Sequence, residues 1–372
     1  MVKKLDNQGK RDSRSLWEEI FTEDTKEFLD YYYQEKTKEN EILGIYDNCR
    51  LVSMLHLNHY KMFFQEKMID SDYIVAVATK KEYRHQGKMA ELIVEAMRRA
   101  KERKKPFVFL MPVKEAIYTP FGFETVYWRK DYSLPSKEQW KKETGNPIII
   151  EEINGTCPEK IEKTIKELSE YSSSLLKEKY HIYTVRDQAY YELLLKEQES
   201  QKGSIVIGRK REGKELCGYC FLTKEEGTEL REVVCSKGME NQWLQALIKQ
   251  YGSDSKVKIA GAELNPKEWK EERRIPCIMA RITDVESFLA LLSPNRKEKE
   301  WIFQNKKIRI LDEILPENMG VYQLSVVETP QGDYLKVKKV EEVETEEIFA
   351  ISIQEILKKS LANLKIFLNE VV

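Results

Sequence analysis

The spacing of apolar residues along the chain predicts alternating short strands and amphipathic helices. The first dozen residues, and on through Arg14, are polar, and we expect them to be loosely ordered. Apolar residues then recur at helical spacing over 16–32, which predicts one or two amphipathic helices. Residues 42–46 and 51–57, separated by a turn-forming pair, predict two paired strands. The nearly continuous apolar run 73–79 is typical of a buried strand.

An amphipathic helix is predicted from about residue 89 to residue 101, because apolar residues fall on one face and charged residues on the other. Basic residues crowd 98–105, where cations complement the negative end of the helix dipole. We interpret this run as capping and not as a nucleic-acid patch, since the basic charge is local and acidic residues are abundant. Pro106 ends the unit, and the apolar run 107–111 predicts the next strand.

The same order of hairpin, strand, helix and strand is predicted again in the middle of the chain. Residues 203–208 and 216–222 flank a glycine-containing turn and predict a hairpin. A strand over 230–235, a helix over 243–251 and a strand over 256–260 follow. This repetition predicts two related domains of mixed α/β structure.

A third, smaller α+β unit is predicted after the two repeats. Ser352 and Glu355 have the spacing of a capping box, which predicts a final helix through Leu361. The polar segment 136–145 is expected to join the two repeats. The strands of the third unit are predicted at 301–303, 307–311, 321–327 and 334–337. We therefore expect a mixed α/β fold whose domains are 1–134, 135–277 and 278–372.

Composition narrows the classes of function. The 372 residues carry 62 Lys and Arg against 63 Asp and Glu, for a net charge of −1. This balance argues against a dedicated DNA-binding or membrane-surface protein, whose charge leans strongly to one sign. No apolar run approaches a membrane span, and the first residues have no apolar signal-peptide core. We therefore expect a cytoplasmic protein with neither nucleic acid nor membrane as its partner.

The six cysteines are scattered, which suits free, buried thiols in a reducing compartment better than a disulfide framework. Cys217 and Cys220 have the spacing of a metal or redox pair. On a strand, however, residues three apart point to opposite faces, and no second cysteine pair or suitably spaced histidine accompanies them. We therefore predict core thiols at both positions and no metal site.

The most informative segment for function is 80–90, a charged loop between a predicted buried strand and an amphipathic helix. A helix N-terminus offers unpaired N–H groups and a positive dipole end, and Gly87 lets the backbone approach an anion. The pair Arg84 and Gly87 alone is weak evidence, and a solvated basic turn is the alternative. Its place between strand and helix favours a phosphate site. Side chains that could add contacts to phosphate oxygens are Lys80, Lys81, Arg84 and Lys88.

Four segments, 75–79, 83–89, 110–112 and 117–123, resemble the GNAT N-acetyltransferases, and more closely their Eis-type branch. In that superfamily an Arg/Gln-x-x-Gly-x-Gly/Ala loop binds the pyrophosphate of acetyl-CoA, and the preceding strand pairs with the pantetheine arm. Met89 stands where the general pattern has a small residue, although larger residues are familiar there in the Eis branch. The resemblance implies that acetyl-CoA is bound by Val77, Ala78, Thr79, Arg84, His85, Gln86, Gly87, Lys88, Met89 and Ala90.

The resemblance extends over the whole chain in order. It implies a GNAT domain, a second GNAT-like domain, and a C-terminal unit similar to sterol carrier proteins, whose opening at 279–284 is part of the match. In the second domain the corresponding segment 235–240 lacks the Arg-x-x-Gly order, so we do not expect it to bind CoA. The resemblance also implies a homo-oligomer, with a hexamer as one candidate, although nothing local in the sequence fixes the number.

The resemblance further implies direct acetyl transfer to a primary amine, with Tyr118 as general acid and the terminal carboxylate of Val372 as general base. A phenol with a pKa of ~10 stays protonated at neutral pH and can donate to the departing thiolate. A terminal carboxylate with a pKa of ~3.5 is a weak base toward an ammonium of ~10.4, so it needs a desolvated cleft or mainly orients the amine. The alternatives are a tyrosine of the core or a turn, and an ordered terminus with only a structural role.

The sequence does not distinguish an aminoglycoside, a polyamine and a lysine-type amine as acceptor. Two other classes of function stay open. One is a non-catalytic binding protein that holds an apolar ligand in the sterol-carrier-like unit, and the other is an oligomeric assembly protein without small-molecule chemistry. Binding of acetyl-CoA separates the enzyme from both.

Overall fold

The computed structural model describes the chain except for 134–146, 155–157, 225–226, 253–256, 262–272, 294–305, 330–332, 342–347 and 371–372. Helices and strands alternate as the periodicity predicts, and the expected mixed α/β fold is confirmed. None of the helices described has the length and apolar character needed to span a bilayer.

The first repeat consists of a hairpin, a third strand, a helix and a parallel strand, which confirms the predicted order. Two helices precede the hairpin, and a short helix and a long strand follow the parallel strand. Its elements are β1 (Val2–Lys4), α1 (Asn7–Ile20), α2 (Lys26–Gln34), β2 (Glu41–Asp47), β3 (Arg50–Phe64), β4 (Lys67–Thr79), α3 (Lys88–Glu102), β5 (Phe107–Leu110), α4 (Glu115–Tyr118) and β6 (Glu124–Ser133).

The expectation that the chain is loosely ordered through Arg14 is wrong, because β1 and α1 lie within this segment. The Asp6 side chain caps α1 by accepting a hydrogen bond from the Gly9 N–H at 2.8 Å. Leu16 and Trp17 bury the inner face of the helix, while most of its polar residues face solvent. A few apolar anchors are enough to dock such a helix, so its polar composition was misleading.

The second repeat has the predicted hairpin, strand, helix and strand, again preceded by two helices. Its elements are β7 (Ile148–Ile153), α5 (Pro158–Lys179), β8 (Ile182–Thr184), α6 (Gln188–Ser200), β9 (Ser204–Lys210), β10 (Leu216–Thr223), β11 (Glu229–Cys235), α7 (Glu240–Tyr251) and β12 (Lys258–Ala260). The linker predicted at 136–145 lies outside the described residues.

The two repeats share an irregularity that local patterning does not reveal. Opposite Leu55 of β3, the strand β4 carries two residues in place of one, and Ala76 there has φ +51°. Opposite Cys220 of β10, the strand β11 has the same extra residue, and Glu232 also has φ +51°. A β-bulge of this kind bends a strand away from its neighbour. Its recurrence at equivalent places supports the prediction of two related domains.

Both repeats belong to one continuous sheet. The strand order is β1-β2-β3-β4-β5-β13-β6-β12-β11-β10-β9-β7, where β13 spans Arg273–Ile282. The strand β13 therefore lies between β5 and β6 of the first repeat, and β6 pairs on its other edge with β12 of the second. The predicted boundary between residues 277 and 278 falls inside this inserted strand.

The C-terminal part forms a second sheet of four strands in the order β16-β15-β14-β17. Ile308 and Ile310 of this sheet share one core with Phe64 and Phe107 of the first repeat. The predicted capping box is confirmed at Ser352, and the strand predicted at 301–303 lies outside the described residues. Its elements are α8 (Val285–Leu289), β14 (Lys307–Leu311), β15 (Gly320–Val327), β16 (Tyr334–Val340), β17 (Phe349–Ser352), α9 (Ile353–Leu361) and β18 (Ile366–Phe367).

Carboxylates hold the basic run at the end of α3. Arg99 and Arg103 both pair with Glu41 on β2, at 3.1 and 2.7 Å. Lys101 pairs with Asp284, which precedes α8, at 3.2 Å. These contacts fix the helix against the sheet and against the C-terminal part of the chain, in agreement with a structural interpretation of the basic run.

The cysteine pair in the second repeat is buried, as predicted, but for a different reason. Cys217 and Cys220 belong to the same core cluster and do not point to opposite faces. The pairing of β10 with β9 shifts register between Leu216 and Gly218, so Cys217 is an extra residue that changes the simple alternation of the strand. Burial raises the pKa of Cys217 to about 11 and that of Cys220 above its usual value, so both thiols stay protonated and unreactive.

Candidate active site

A gap opens in the sheet between β4 and β5. These parallel strands pair only where Asp72–Ile74 lies beside Val108–Leu110. The strand β5 ends at Leu110, whereas β4 continues through its bulge to Thr79. Ala78 and Thr79 pair with β3 on the opposite edge, and no described strand covers the edge that faces the gap. That edge offers backbone N–H and C=O groups to an extended ligand.

The loop that follows β4 ends at a helix N-terminus without a side-chain cap. Gly87 is the N-cap of α3, with φ +76°, and it cannot supply a side-chain acceptor. By contrast, Asp6, Thr25 and Asp187 each cap their helices with a side-chain oxygen. Among the described residues, the N–H groups of 88–90 have no acceptor. The start of α3 is therefore available to an anion such as a pyrophosphate.

The residues predicted to contact the cofactor lie side by side around this loop. Arg84, His85 and Gln86 are exposed, and His85 has φ +60°. The Arg84 Nε donates to the Thr79 carbonyl at 3.1 Å, which ties the loop to the end of β4. Lys80 is not available to contact a phosphate at this loop, because it is buried and paired with Glu19 of α1. The contacts with acetyl-CoA themselves stay a prediction.

Tyr118 lies at the end of α4, in the turn that connects β5 to β6. Its side chain is 6% exposed and packs edge-on against Phe123, with ring centroids 6.0 Å apart. The hydroxyl makes no hydrogen bond to any residue that the structure describes. Burial raises the pKa of the phenol. Tyr118 is therefore a protonated donor at neutral pH with no assigned acceptor.

A cavity of about 420 Å³ lies on the side of the sheet covered by α2 and α6. The segment after α2, the middle of β3, the helix α6 and residues 369–370 line it. Sequence analysis did not find this cavity, because its lining comes from distant segments without a shared motif. The one available signal was the apolar composition of 367–372, which is unlike the polar tail usual at chain termini.

The cavity wall carries buried polar atoms without a partner. These atoms belong to residues that are at most 7% exposed, and none has a hydrogen-bond partner among the described residues. Buried polar groups in proteins are normally paired, so such a set indicates a ligand or bound water. The atoms concerned are Asn58 Nδ2, Thr184 Oγ1, Gln198 Oε1 and Asn369 Oδ1.

The cavity also holds a carboxylate suited to a cation. Glu197 is 5% exposed and accepts a hydrogen bond from the Tyr31 hydroxyl at 3.0 Å. The ammonium of Lys36 lies 3.9 Å from this carboxylate and 5.5 Å from the centre of the Tyr60 ring. Burial raises the pKa of Glu197, and Lys36 acts against that change. An ammonium between a carboxylate and an aromatic face is stabilised by both.

The last described residue, Glu370, connects the cavity to β4. Its backbone carbonyl accepts a hydrogen bond from the Tyr73 hydroxyl at 3.2 Å. Its carboxylate pairs with Arg186 at 2.9 Å and accepts a hydrogen bond from the Tyr190 hydroxyl at 3.2 Å. Tyr73 pairs with β5 one residue before the two strands separate. Val372, the predicted general base, lies outside the described residues.

Tyr118 and the cavity lie on opposite faces of the sheet. Tyr118 packs in one core with Ile74 and Leu110, while Tyr73 and Phe109 belong to the core on the other face. Successive residues of a strand alternate between faces, which explains this division. The gap beyond Ile74 is therefore a place where the two faces can communicate.

The equivalent place in the second repeat is built differently. The Lys179 ammonium donates to the Cys235 carbonyl at 2.8 Å, and the Tyr171 and Ser236 hydroxyls are 2.9 Å apart. The helix α5 thus covers the end of β11, where the first repeat has an exposed loop. At the bulge, the Glu232 carboxylate accepts a hydrogen bond from Arg186 at 3.0 Å. That the second repeat does not bind CoA stays a prediction.

No group of three or more His, Cys, Asp and Glu side chains arranged for a metal ion occurs within the described part of the chain. His56 is fully buried, and burial lowers its pKa to about 3, so its imidazole is neutral. Its Nδ1 lies 3.3 Å from the Tyr32 hydroxyl. This histidine is part of the core.

Comparison with known proteins decides the class of the first repeat. Residues 1–126 match the profile of a family described as "Acetyltransferase (GNAT) domain". The first repeat is a GNAT acetyltransferase domain. This match assigns residues 1–126 to the GNAT acetyltransferases, whose fold in general uses acetyl-CoA. No curated protein matches the chain significantly.

Solved structures extend the likeness in fold beyond the GNAT domain. A probable N-acyltransferase from Enterococcus faecalis is 17% identical, with a TM-score of 0.74 over 95% of this chain and 87% of its own. A GCN5-related N-acetyltransferase from Anabaena variabilis is 16% identical, with a TM-score of 0.70 over 95% and 88%. Eis1 from Mycobacterium abscessus is 10% identical, with a TM-score of 0.62 over 97% and 89%. At these sequence identities the similarity shows the fold alone. The matched regions cover at least 95% of this chain, so they include the second repeat.

Proposed function

We propose that this protein transfers acetyl from acetyl-CoA directly to a primary amine bound in the cavity. The observation that carries the proposal is the gap between β4 and β5 in the GNAT domain. An uncapped helix N-terminus lies at one end of this gap, and Glu370 of the cavity wall contacts β4 beside it. A thioester in the gap would meet an amine from the cavity side.

The cofactor would use backbone groups that the fold leaves free. The N–H groups of 88–90 would bind the pyrophosphate, with charge-assisted contacts from Arg84 and Lys88. The backbone of 77–79 would pair with the amides of the pantetheine arm along the open edge of β4. These contacts would bring the thioester to the gap near Tyr118.

The reaction needs two proton transfers, and a different residue would carry out each of them. A neutral amine attacks the thioester carbon, the new C–N bond forms, and the C–S bond breaks as the tetrahedral intermediate collapses. Tyr118 would protonate the departing CoA thiolate, since burial keeps its phenol protonated. The amine must first lose a proton, and the carboxylate of Val372 would accept it.

The terminal carboxylate is a weak base in water, so it can accept the proton of the amine only in a site removed from water. Val372 stands only two residues after Glu370 in the sequence. Glu370 itself is 4% exposed and contacts β4 beside the gap. Removal from water would lower the pKa of the bound ammonium and so reduce the mismatch with a weak base.

Extending the chain beyond Val372 by a short Gly-Ser segment should lower kcat by ~10²-fold or more, because it moves the carboxylate away from the amine. The KM for acetyl-CoA should change little, since the proposed cofactor contacts are made by 77–79 and 84–90 and not by the end of the chain. Val372→Ala, which keeps the terminal carboxylate, is the matched control and should retain activity. Full activity of the extended protein would remove the carboxylate from the mechanism.

Release of CoA thiol, measured with a panel of amines, tests the function itself. We expect turnover with at least one polyamine, aminoglycoside or lysine peptide, and binding of acetyl-CoA by titration calorimetry. Glu197→Gln should raise the KM of a cationic acceptor by ~10-fold without changing that of acetyl-CoA, because it removes a buried carboxylate partner. Absence of acetyl-CoA binding would reject the proposal and favour the alternative, a binding protein for an apolar ligand in the C-terminal unit.

A further inference from the structure

A buried ion pair from the C-terminal part of the chain lies against the turn that carries Tyr118. Arg281 belongs to β13, and Asp312 directly follows β14. Their side chains are each 1% exposed, with 2.5 Å between Nη2 and Oδ1. The strand β13 lies between β5 and β6, which are the two strands that the Tyr118 turn connects. The Arg281 guanidinium therefore lies against the segment that connects β5 to β6.

The guanidinium holds the turn by its backbone. Arg281 Nε donates to the Phe121 carbonyl at 2.8 Å, and Nη1 donates to the Ile282 carbonyl. Phe121 ends the 3₁₀ turn that directly follows Tyr118. Gly122 comes next, with φ +82°, and a Cβ atom there would lie 2.6 Å from Arg281 Nε. The turn is thus fitted closely to the guanidinium, and glycine permits both the conformation and the approach.

Asp312 is fixed by further contacts, so the pair cannot shift freely. Its carboxylate accepts hydrogen bonds from the Leu315 N–H at 3.0 Å and from Asn318 Nδ2 at 2.8 Å. Asn318 in turn accepts one from Lys101 on α3 at 2.7 Å. Leu315 is fully buried in the core that contains Tyr118. The pair therefore joins α3, the Tyr118 turn and the C-terminal part.

Stability alone does not account for such a pair. Burying two charges carries a desolvation cost that apolar residues of similar volume avoid, and their replacement is often neutral or stabilising. Burial lowers the pKa of the Arg281 guanidinium, and Asp312 opposes this change. The pair provides a directional hydrogen bond from Arg281 to the Phe121 backbone carbonyl, which apolar packing cannot provide.

We propose that Arg281, held by Asp312, positions Tyr118 at the gap between β4 and β5. Arg281 is a positioning residue and does not itself take part in the chemistry. The C-terminal part of the chain thereby completes the active site of the GNAT domain. This inference rests on the proposed function, in which Tyr118 donates a proton to the thiolate.

Arg281→Met should lower kcat by ~10–10²-fold, because a small misplacement of a reacting group has an effect of this size. The KM for acetyl-CoA should stay within about two-fold of wild type. Arg281→Lys should restore part of the activity, since an ammonium can reach Asp312 or the Phe121 carbonyl but lacks the guanidinium fork. In a Tyr118→Phe background, Arg281→Met should change kcat little, because the group that it positions is absent.

Amide hydrogen exchange gives a readout that does not depend on activity. Exchange of 117–122 should accelerate by about 10-fold or more in Arg281→Met, while that of α7 should not change. Arg209→Met, which breaks the Arg209 pair with Glu167 in the second repeat, is the matched control and should leave both kcat and this exchange unchanged. If Arg281→Met does not fold, Arg281→Met with Asp312→Leu removes both charges and takes its place in the same measurements.

Different results would overturn the positioning role of Arg281 and the role of Tyr118 as the acid. Unchanged exchange at 117–122, or an unchanged kcat in the Arg281 variant, would overturn the positioning role. Faster exchange together with full activity of Tyr118→Phe would reject Tyr118 as the acid of the proposed mechanism. In that case Arg281 would still organise the turn, and the proton donor would lie elsewhere.

Discussion

Replacing Tyr118 with phenylalanine should lower kcat by ~10²–10⁴-fold, the range expected when a general acid is removed. The loss should appear in kcat with little change in the KM for acetyl-CoA, because the phenol would act on the thiolate that forms during the reaction. The hydroxyl has no hydrogen-bond partner in the described structure, so its removal should hardly affect the free energy of unfolding. Steady-state thiol release and thermal unfolding measure the two effects separately.

The matched control is Tyr251→Phe in the second repeat. Tyr251 is also buried, and its hydroxyl donates to Glu152 at 2.7 Å. Loss of this hydrogen bond to a carboxylate should lower the free energy of unfolding by about 1.5–3 kcal/mol and leave kcat unchanged. If Tyr118→Phe were as active as this control, another group would have to protonate the thiolate.

The pH profile gives an independent check on Tyr118. Burial raises the pKa of its phenol above the usual ~10, so the protonated and active form persists throughout the neutral and mildly alkaline range. Wild-type kcat should therefore show no fall assignable to Tyr118 below about pH 10. A loss of kcat near pH 8 that disappears in Tyr118→Phe would contradict this assignment.

Replacing Gly87 with tryptophan should abolish measurable binding of acetyl-CoA. Gly87 has φ +76°, a conformation that other residues adopt only at a cost of about 1–2 kcal/mol. A Cβ atom there would have no neighbour within 4 Å among the described residues, so a bulky side chain would occupy the open space at the start of α3. Loss of two charge-assisted hydrogen bonds, at about 1.5–3 kcal/mol each, corresponds to a rise in Kd of ~10²-fold or more. Titration calorimetry with acetyl-CoA measures this directly.

The chain provides a close control for this substitution. Gly238 lies in the loop before α7, has φ +82°, and likewise has no neighbour within 4 Å of a Cβ atom. Gly238→Trp therefore introduces the same strain at the equivalent place of the second repeat. Binding should survive there, since that repeat is not expected to hold the cofactor. If both variants lost binding equally, the effect of Gly87→Trp would reflect instability and not a phosphate site.

Features with a short sequence range could be predicted from periodicity. The two hairpins, the buried strand β4, the helix α3 and the capping box at Ser352 each depend on residues close together in the chain. The charged loop was recognisable for the same reason, because a phosphate site at a helix N-terminus needs only a few consecutive residues. The start of the helix α1 was not predicted, because only a small number of apolar residues pack this otherwise polar segment against the core.

Features that depend on distant segments could not be predicted in this way. The register shift of β10 at Cys217 accounts for Cys217 and Cys220 lying in one core cluster, whereas strict alternation separates them. The insertion of β13 between β5 and β6 brings together residues about 140–175 positions apart, and no local pattern encodes that pairing. The contact of Arg281 with the Phe121 carbonyl depends entirely on this insertion.

The sequence by itself determined the class of fold, the internal repetition, the charged loop at Gly87 for which a phosphate site is predicted, and the likeness to GNAT acetyltransferases. Those properties reside in local spacing and in single motifs. Only the tertiary structure decided that Lys80 pairs with Glu19, that unpaired polar atoms meet in a cavity beside Glu370, and that a C-terminal arginine contacts the turn of Tyr118. Such arrangements arise from long-range strand pairing and burial, which bring together side chains that the linear order keeps apart.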